Sequence, residues 1–392
     1  MNILLLCGCL EAGKDGVGDY TRLLATAFTE KGHNCYLVAL NDPYVESVET
    51  TATGQSSSLR CSHLLHSSEQ QDRFNQIIAE WQPDILSLQF VPYSFHPRGL
   101  INDLVKFVSR IPTTCKWHIM FHEIWIGCAN KAPLKERIIG CLQRRQIKKL
   151  LHVTRPLCIH SHTPAYRYLI DQLGLTSHPL ELFGNIPRQP QCARQWLFDA
   201  LAQQGVPNIQ KARKHWFLFG IFGTLHPQWP PEPLLYYLEA AAQKAHKRAV
   251  LISFGHNASG QDIWQSLSQE QRGCLQLVRL GPMASDKVSQ LMNSLDFGIA
   301  TSPWSLIHKS GSVRAMLEHG LPVLMNRDDI TFRGFEHKQA PLPHGVYWVD
   351  ETLPDTITTI GRFEPQSHLS AIAQQMLTDV GVSNKEEVKR EK

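Results

Sequence analysis

The sequence has no C-x-x-C pair, no run of 18 apolar residues and no marked excess of one charge, and each absence removes a class of protein. Ten cysteines in 392 residues without such a pair are not a disulfide framework or a zinc ribbon. The opening run Ile3-Leu4-Leu5-Leu6-Cys7 is too short for a signal h-region and has no basic segment before it, and nothing later is long enough to span a bilayer. A reducing, cytoplasmic compartment is expected. Lys and Arg number 39 against 35 Asp and Glu, a formal net charge of +4. The split is 18 to 16 before residue 187 and 21 to 19 after it, so neither half is a polycation and no nucleic-acid partner is expected. Internal repeats and low-complexity segments are also lacking.

What is present is ordinary globular composition, 43% hydrophobic and 19% charged, with enough chain for two domains. Short apolar runs alternate with longer amphipathic segments, the pattern of a parallel α/β architecture. Strands are expected at Met1–Gly8, Cys35–Leu40, Asp84–Gln89, Trp117–Phe121 and Leu157–His160. Helices are expected at Tyr20–Lys31 and Asp72–Trp81, and the polar stretch Asn41–Gln70 reads as loop. A second series has strands at Phe217–Phe222, Ala249–Phe254, Leu275–Leu280, Phe297–Ala300 and Pro322–Met325, and a closing helix at Leu369–Leu377. The expected division is 1–186 as a first Rossmann-like domain and 187–215, with Pro187, Pro190 and Pro207, as the connection. A second such domain then runs over 216–380, with a charged tail over 381–392. The fold class is thus α/β, two doubly wound domains facing each other, with ligand at the carboxyl ends of the strands.

Four constellations could carry chemistry. Gly8 to Lys14 has the spacing of a phosphate loop, but Asp15 stands where Ser or Thr must ligate Mg²⁺, and a carboxylate there repels phosphate. The same loop continues through Gly16 and Gly18 into a helix expected to open near Thr21, a glycine pair that lets backbone approach an anion. The alternative is a plain turn with a helix cap. His122 follows a buried strand and falls at its carboxyl end; His118 shares its strand face, as His160 shares that of His162. No carboxylate or cysteine completes a ligand set, so no metal site is expected. In Lys309-Ser310-Gly311-Ser312, Ser310 caps a short helix that Gly320 ends, and Lys309 beside the cap makes it a candidate phosphate site. Glu318 lies two turns along roughly the same face, where a carboxylate can accept from two vicinal hydroxyls; the alternative is a capped surface helix with a solvated Glu. Cys7 and Cys9 read as buried thiols.

With these residues in order, the chain resembles the GT-B retaining glycosyltransferases of the family 4 type. The resemblance runs over roughly residues 1–380, through Gly16-Val-Gly18-Asp-Tyr20, His122-Glu123, Gly184-Asn-Ile-Pro187, Gly223-Thr-Leu225 and Lys309 to Val323. It implies two Rossmann-like domains facing a cleft and a metal-independent hexosyltransferase that takes a nucleotide diphosphate sugar as co-substrate. It also implies that the glycine loop borders the donor phosphates, that His122 contacts the transferred sugar and that Glu318 holds the ribose. Ser310 departs from the family's first Glu in E-x7-E. The Arg and Lys that grip the diphosphate are not evident in Gly223-Thr-Leu-His-Pro-Gln-Trp229, where Thr224 and Trp229 stand near their places. Lys309 with the Ser310–Ser312 cap is the expected replacement.

The expected partners are a nucleotide sugar and a glycan, lipid-linked or small-molecule acceptor. The second reading is a non-catalytic nucleotide-sugar-binding or scaffold protein of the same fold, and a third is a nucleotide-sugar epimerase. Residues 131–155 carry eight Lys or Arg and one acid, Glu136. They could lie on an anionic leaflet at the inner membrane face, although their apolar residues form no single stripe in the sequence and a solvated face explains the charge as well.

Overall fold

A computed structural model describes residues 1–381 apart from 54–55, 63–64, 66, 113–114, 190–193, 207–208, 256–259, 270–272, 337 and 339. Pro190, Pro207 and the charged tail from residue 382 lie outside the described residues. The chain divides into two compact units. The first holds Met1–Glu181, a segment from Ile330 and the helix Leu369–Asp379; the second holds Leu182–Asp329 and Lys338–His368.

The first unit is built on eight strands: β1 Asn2–Cys7, β2 Asn34–Ala39, β3 Val48–Thr53, β4 Ser56–Cys61, β5 Ile85–Phe90, β6 Lys116–Phe121, β7 Cys158–Ser161 and β8 His178–Pro179. Their order in the sheet is β3-β4-β2-β1-β5-β6-β7-β8, all parallel except for the antiparallel pair β3–β4. Helices cover both faces of a parallel sheet, which is why the central strands are apolar without alternation. All six residues of β5 are buried, as are Ile3 to Cys7 of β1. Chain order reverses between β1 and β5, and in such sheets the space beyond the carboxyl ends at that reversal is where ligands bind.

The second unit carries β9 Trp216–Phe222, β10 Arg248–Phe254, β11 Leu275–Gly281, β12 Phe297–Ala300, β13 Val323–Met325 and β14 Val346–Trp348. The order is β11-β10-β9-β12-β13-β14, wholly parallel, with its reversal between β9 and β12. This is the strand order of a dinucleotide-binding sheet. The doubly wound α/β expectation is met in both units.

Three local expectations change. Asn41–Gln70 is not loop, because β3 and β4 form a hairpin on the sheet edge. Its residues are hydroxyl-rich and lack an apolar run, but Leu59 and Cys61 are buried and Arg60 bonds to Asp42 at 2.8 Å, Glu11 at 2.6 Å and Glu49 at 3.2 Å. Burial pushes the Asp42 carboxyl up, yet Arg60 and the N–H groups of Leu10 and Tyr44 outweigh it and hold the group below its usual range. The closing helix, expected with the second domain, lies with the first unit: Val380 just beyond it packs with Ile85 and Cys158, and Asp379 meets His160. The strand β14, only three residues long, gave no sequence signal.

The third change concerns the glycine loop. The helix opens at Gly16, not near Thr21, because the Asp15 side chain caps it, accepting from Val17 N at 2.7 Å and Gly18 N at 3.0 Å. Both glycines therefore lie in the first turn. Gly18 is pressed against the loop after β1, and a Cβ there would sit 2.3 Å from the Cys9 carbonyl oxygen, whereas a Cβ on Gly16 would meet open space. Gly18→Ala should thus destabilise the chain by about 1–3 kcal/mol through a clash with backbone, and Gly16→Ala should stay within about 0.5 kcal/mol of the parent. Urea denaturation of the two variants measures the difference; equal losses would contradict the packing role of Gly18.

Candidate functional site

In the second unit the reversal between β9 and β12 brings two of the expected segments together. After β9 the chain turns at Gly223, whose φ of 80° is the left-handed region that favours glycine, and its N–H donates to Phe254 O at 2.9 Å. A Cβ at Gly223 would lie 3.8 Å from that of Ser312, so the loop after β9 borders the first turn of the helix Gly311–Glu318. Beyond β12, Thr301 donates its hydroxyl to Thr224 O at 3.0 Å. Lys309 ends the 3₁₀ turn Trp304–Lys309 and immediately precedes the cap.

Ser310 caps the helix as expected, but loosely: its hydroxyl stands 3.5 Å from Val313 N and also meets the hydroxyls of Ser302 and Ser312 at 3.2 Å each. Among the described residues no acceptor faces the N–H groups of Gly311 and Ser312, and a Cβ on Gly311 would meet nothing. This terminus therefore presents three hydroxyls, open N–H groups and a positive dipole end in one place. The contrast with the first unit is direct, since there Asp15 occupies the same kind of position and Asp19 accepts from Gly13 N at 3.0 Å. Of the two expected glycines, Gly18 therefore has its N–H taken by the chain's own Asp15 carboxylate, as does Val17 beside it.

Glu318 is not a solvated surface carboxylate. It is 7% exposed, at the far end of the same short helix. Its Oε1 accepts from His368 N at 3.2 Å and lies 3.3 Å from His368 Nδ1, while Oε2 sits over Gly184, where a Cβ would come within 2.9 Å. Arg314, one turn earlier, approaches Oε1 at 3.9 Å and donates to Leu182 O. A Cβ at Gly184 would also come within 3.1 Å of Ala315 Cα, so this glycine packs against the helix backbone as well as the carboxylate.

Of the two residues standing near the places of the family's cations, Trp229 is core, 2% exposed and bonded through Nε1 to Asn326 Oδ1 at 2.9 Å, and Thr224 is exposed. A cation that the sequence did not single out is Arg327 after β13. It is buried, paired with Asp329 at 2.7 Å, and bonded to Thr301 O and Gln228. It ties together the loops after three strands; its charge is engaged by Asp329.

In the first unit His122 lies beyond β6, buried, with both ring nitrogens engaged: Nε2 faces Gln89 Oε1 at 2.9 Å and Nδ1 faces His162 Nε2 at 3.2 Å. The Tyr20 ring stands edge-on to both imidazoles, at 4.8 and 5.6 Å between centroids. The contacts continue inward. His162 Nδ1 donates to Leu180 O at 2.7 Å, Gln89 Nε2 donates to Ser87 Oγ at 2.8 Å, and Ser87 Oγ meets His118 Nδ1 at 2.8 Å. His118 Nε2 meets His160 Nδ1 at 2.9 Å, and His160 Nε2 meets Asp379 Oδ2 at 3.0 Å. The sequence showed the same-face pairs His118/His122 and His160/His162. It could not show that the register of β6 against β7 would set the pairs side by side.

Cys7 and Cys9 are buried as expected. Burial, above all, pushes the Cys9 thiol up to about 12 and Cys7 further, so neither is a thiolate nucleophile.

No protein-family model matches the chain, and no curated protein matches it by sequence. Solved structures do match across nearly the whole length. Sucrose-phosphate synthase from Thermosynechococcus elongatus superposes with a TM-score of 0.55 at 11% identity, over 96% of this chain and 98% of that one. HepE of Anabaena in complex with UDP and glucose gives 0.53 at 15% identity, over 100% and 98%. The α,α-trehalose 6-phosphate synthase of Burkholderia multivorans gives 0.50 at 10% identity, over 97% and 94%. The chain has the GT-B fold.

Three buried histidines have a consequence that can be measured. Burial pushes His118, His160 and His319 below the usual imidazole range, well below for His118; for His160 the bond and charge of Asp379 oppose burial without cancelling it. For His319 burial, aided by the charges of Arg362 and Arg188, outweighs the bond it donates to Ala315 O at 2.7 Å, which favours the charged ring; its other nitrogen meets Ser289 Oγ at 2.8 Å. A base whose folded pKa is depressed charges first in the unfolded chain. Stability is therefore fully present above about pH 6.5 and is lost as pH falls, by up to about 1.4 kcal/mol per pH unit for each histidine. Thermal unfolding between pH 7.5 and 5 should show a falling Tm; a flat profile would contradict the burial.

Proposed function

We propose that the chain is a glycosyltransferase of the retaining, family 4 type, moving a hexosyl unit from a nucleotide diphosphate sugar to an acceptor. The open N-terminus of Gly311–Glu318, at the strand reversal of a dinucleotide-type sheet, is the observation that carries this reading. In it the diphosphate accepts from Gly311 and Ser312 N–H and from the Ser310 and Ser312 hydroxyls, with Lys309 adding charge. Those groups stabilise the leaving diphosphate, so the reading calls for no resident metal. The ribose hydroxyls bond to Glu318, whose carboxylate sits two turns along the same helix. The likeness to HepE, solved with UDP and glucose, supports a nucleotide-sugar donor.

His122 borders the transferred sugar in this reading, with its ring fixed by Gln89 and His162. The turn at Asp15–Asp19 is left to the acceptor side, because its two carboxylates repel a diphosphate and suit hydroxyls. A panel of UDP, GDP, ADP and their sugars identifies the donor: a ligand at about 100 times its Kd raises stability by about 2.7 kcal/mol. Lys309→Ala should weaken the responding nucleotide by about tenfold, each shift being read against the variant's own unliganded stability. No response to any nucleotide would contradict the donor site. A response without sugar transfer would favour the non-catalytic reading, for which Ser310 in place of a carboxylate is the supporting residue.

The acceptor in this proposal is presented at an anionic lipid surface. The helix Leu134–Thr154 turns Ile147, Leu150 and Leu151 inward, while Leu134, Ile138 and Leu142, four apart, are 73%, 57% and 43% exposed. The apolar residues that made no single stripe in sequence therefore divide between two faces. Lys135, Arg137, Arg145, Lys148 and Lys149 are exposed on the same helix, with Glu136 its one acid. No helix among the described residues is long and apolar enough to cross a membrane. Co-sedimentation with vesicles rich in anionic lipid, lost on zwitterionic vesicles and in Ile138→Glu, is the expected result. Equal recovery on both vesicle types would contradict it.

A further inference from the structure

The amino edge of the first sheet, opposite the end where His122 lies, carries two cavities that glycosyl transfer does not use. The helix Leu134–Thr154 ends there, β7 starts at Cys158, and Arg155, Pro156 and Leu157 make the turn between them. One cavity, of about 530 Å³, is lined by Lys148, Leu151, His152 and Arg155 from the end of that helix and by Leu173 and Leu175 from the turn after the helix Pro164–Asp171. The second, of about 690 Å³, reaches the start of β6 and is lined by Ile111, Lys116, Trp117, Val153 and Leu157. His152 and Arg155 line both, with one cavity to each side of them. Both volumes fall in the range of small-molecule sites.

The linings share one chemistry. No acidic residue lines either cavity, and among the described residues no carboxylate pairs with Lys148, His152 or Arg155. Asp171, the acid nearest to Leu173 along the chain, is turned to Ser177 and accepts from its N at 2.9 Å and its Oγ at 2.7 Å. Val153, Leu157 and Leu175 are exposed, so apolar surface lies open beside the cations. Arg155 itself stands at φ 42°, in the left-handed region, directly before Pro156. Glycine fits that conformation best, and a residue before proline is ordinarily extended. The guanidinium makes no hydrogen bond or ion pair among the described residues that would account for an arginine there. A free phosphate would need only the cations, and a hydrocarbon only the apolar walls. Cations shared by two apolar cavities fit a ligand with one anionic centre and two apolar arms.

We propose that this edge binds one anionic diacyl phospholipid, with its phosphate held by Lys148, His152 and Arg155 and one acyl chain in each cavity. The site is separate from the reacting end: β6 runs its six residues, about 20 Å, from Lys116 at this edge to Phe121 beside His122. A lipid held here anchors the chain and leaves the carboxyl ends of the strands open. His152 stands 14 residues after Ile138 on one helix, which brings it within about 40° of Ile138 around the axis. The cationic ridge thus continues the exposed face that carries Ile138. The bilayer setting rests on the lipid-surface reading given above; the site itself does not.

The test is calorimetric titration of the full chain, without vesicles, with dioctanoyl phosphatidylglycerol below its critical micelle concentration. One lipid should bind per chain. Dioctanoyl phosphatidylcholine, whose headgroup carries a cation, and glycerol 3-phosphate, which has no chains, should each bind about tenfold or more weakly. Arg155→Gly should weaken phosphatidylglycerol binding by about fivefold or more, with thermal unfolding no lower than the parent's, because the backbone at this position suits glycine. Leu175→Asp, at an exposed place in a turn, should keep the fold and weaken binding by a similar factor. Absence of saturable binding, equal affinity for either comparator, or unchanged affinity in either folded variant would overturn the proposal. Recovery on anionic vesicles without this titration would remove the site and leave the lipid-surface reading standing. Saturable binding of the short lipid without recovery on vesicles would do the reverse.

Discussion

The first turn of a helix leaves N–H groups that need an acceptor, and this chain meets that need differently at the two places where glycines precede a helix beyond a sheet. At Gly16 the acceptor is the Asp15 carboxylate, one residue before the helix. At Gly311 the cap is a serine hydroxyl at 3.5 Å, shared with two neighbouring hydroxyls, and among the described residues no acceptor meets the N–H groups of Gly311 and Ser312. A terminus that holds the chain's own carboxylate is a poor host for a diphosphate, and the proposal accordingly puts the donor in the second unit.

The rest of the second unit supports that terminus. The strand order sets the ends of β9 and β12 side by side, which fixes the Gly223 loop and the Ser302 and Thr301 hydroxyls around the short helix. Arg327 secures the loops from below, and Gly184 leaves room for the Glu318 carboxylate at the other end. Eight residues of helix thus separate open N–H groups from a buried carboxylate, a span that suits a diphosphate joined to a ribose.

The central strands of both sheets were legible in sequence because a strand buried on both faces reads as an uninterrupted apolar run, as in Ile3–Cys7 and Phe217–Phe222. Helix Gly311–Glu318 was legible through its Ser310 cap and the Gly320 stop. The hairpin Val48–Cys61 was not, since its serines and threonines pair at an edge and are held by Arg60 contacts to residues far along the chain. The start at Gly16 was not legible from the glycine spacing, because the capping carboxylate of Asp15 lies in a loop that also has the spacing of a phosphate loop. The histidine string was invisible for a different reason: it depends on the register of β5, β6 and β7 and on Asp379, 219 residues from its partner His160.

The central claim is that the nucleotide diphosphate binds at the open helix terminus of the second unit. A crystal structure with the nucleotide bound tests this most directly. The account predicts phosphate oxygens within hydrogen-bond distance of Gly311 N and Ser312 N, with the ribose hydroxyls at Glu318. Phosphates seated at Val17 and Gly18, with Asp15 displaced, or a ribose away from Glu318, would contradict it.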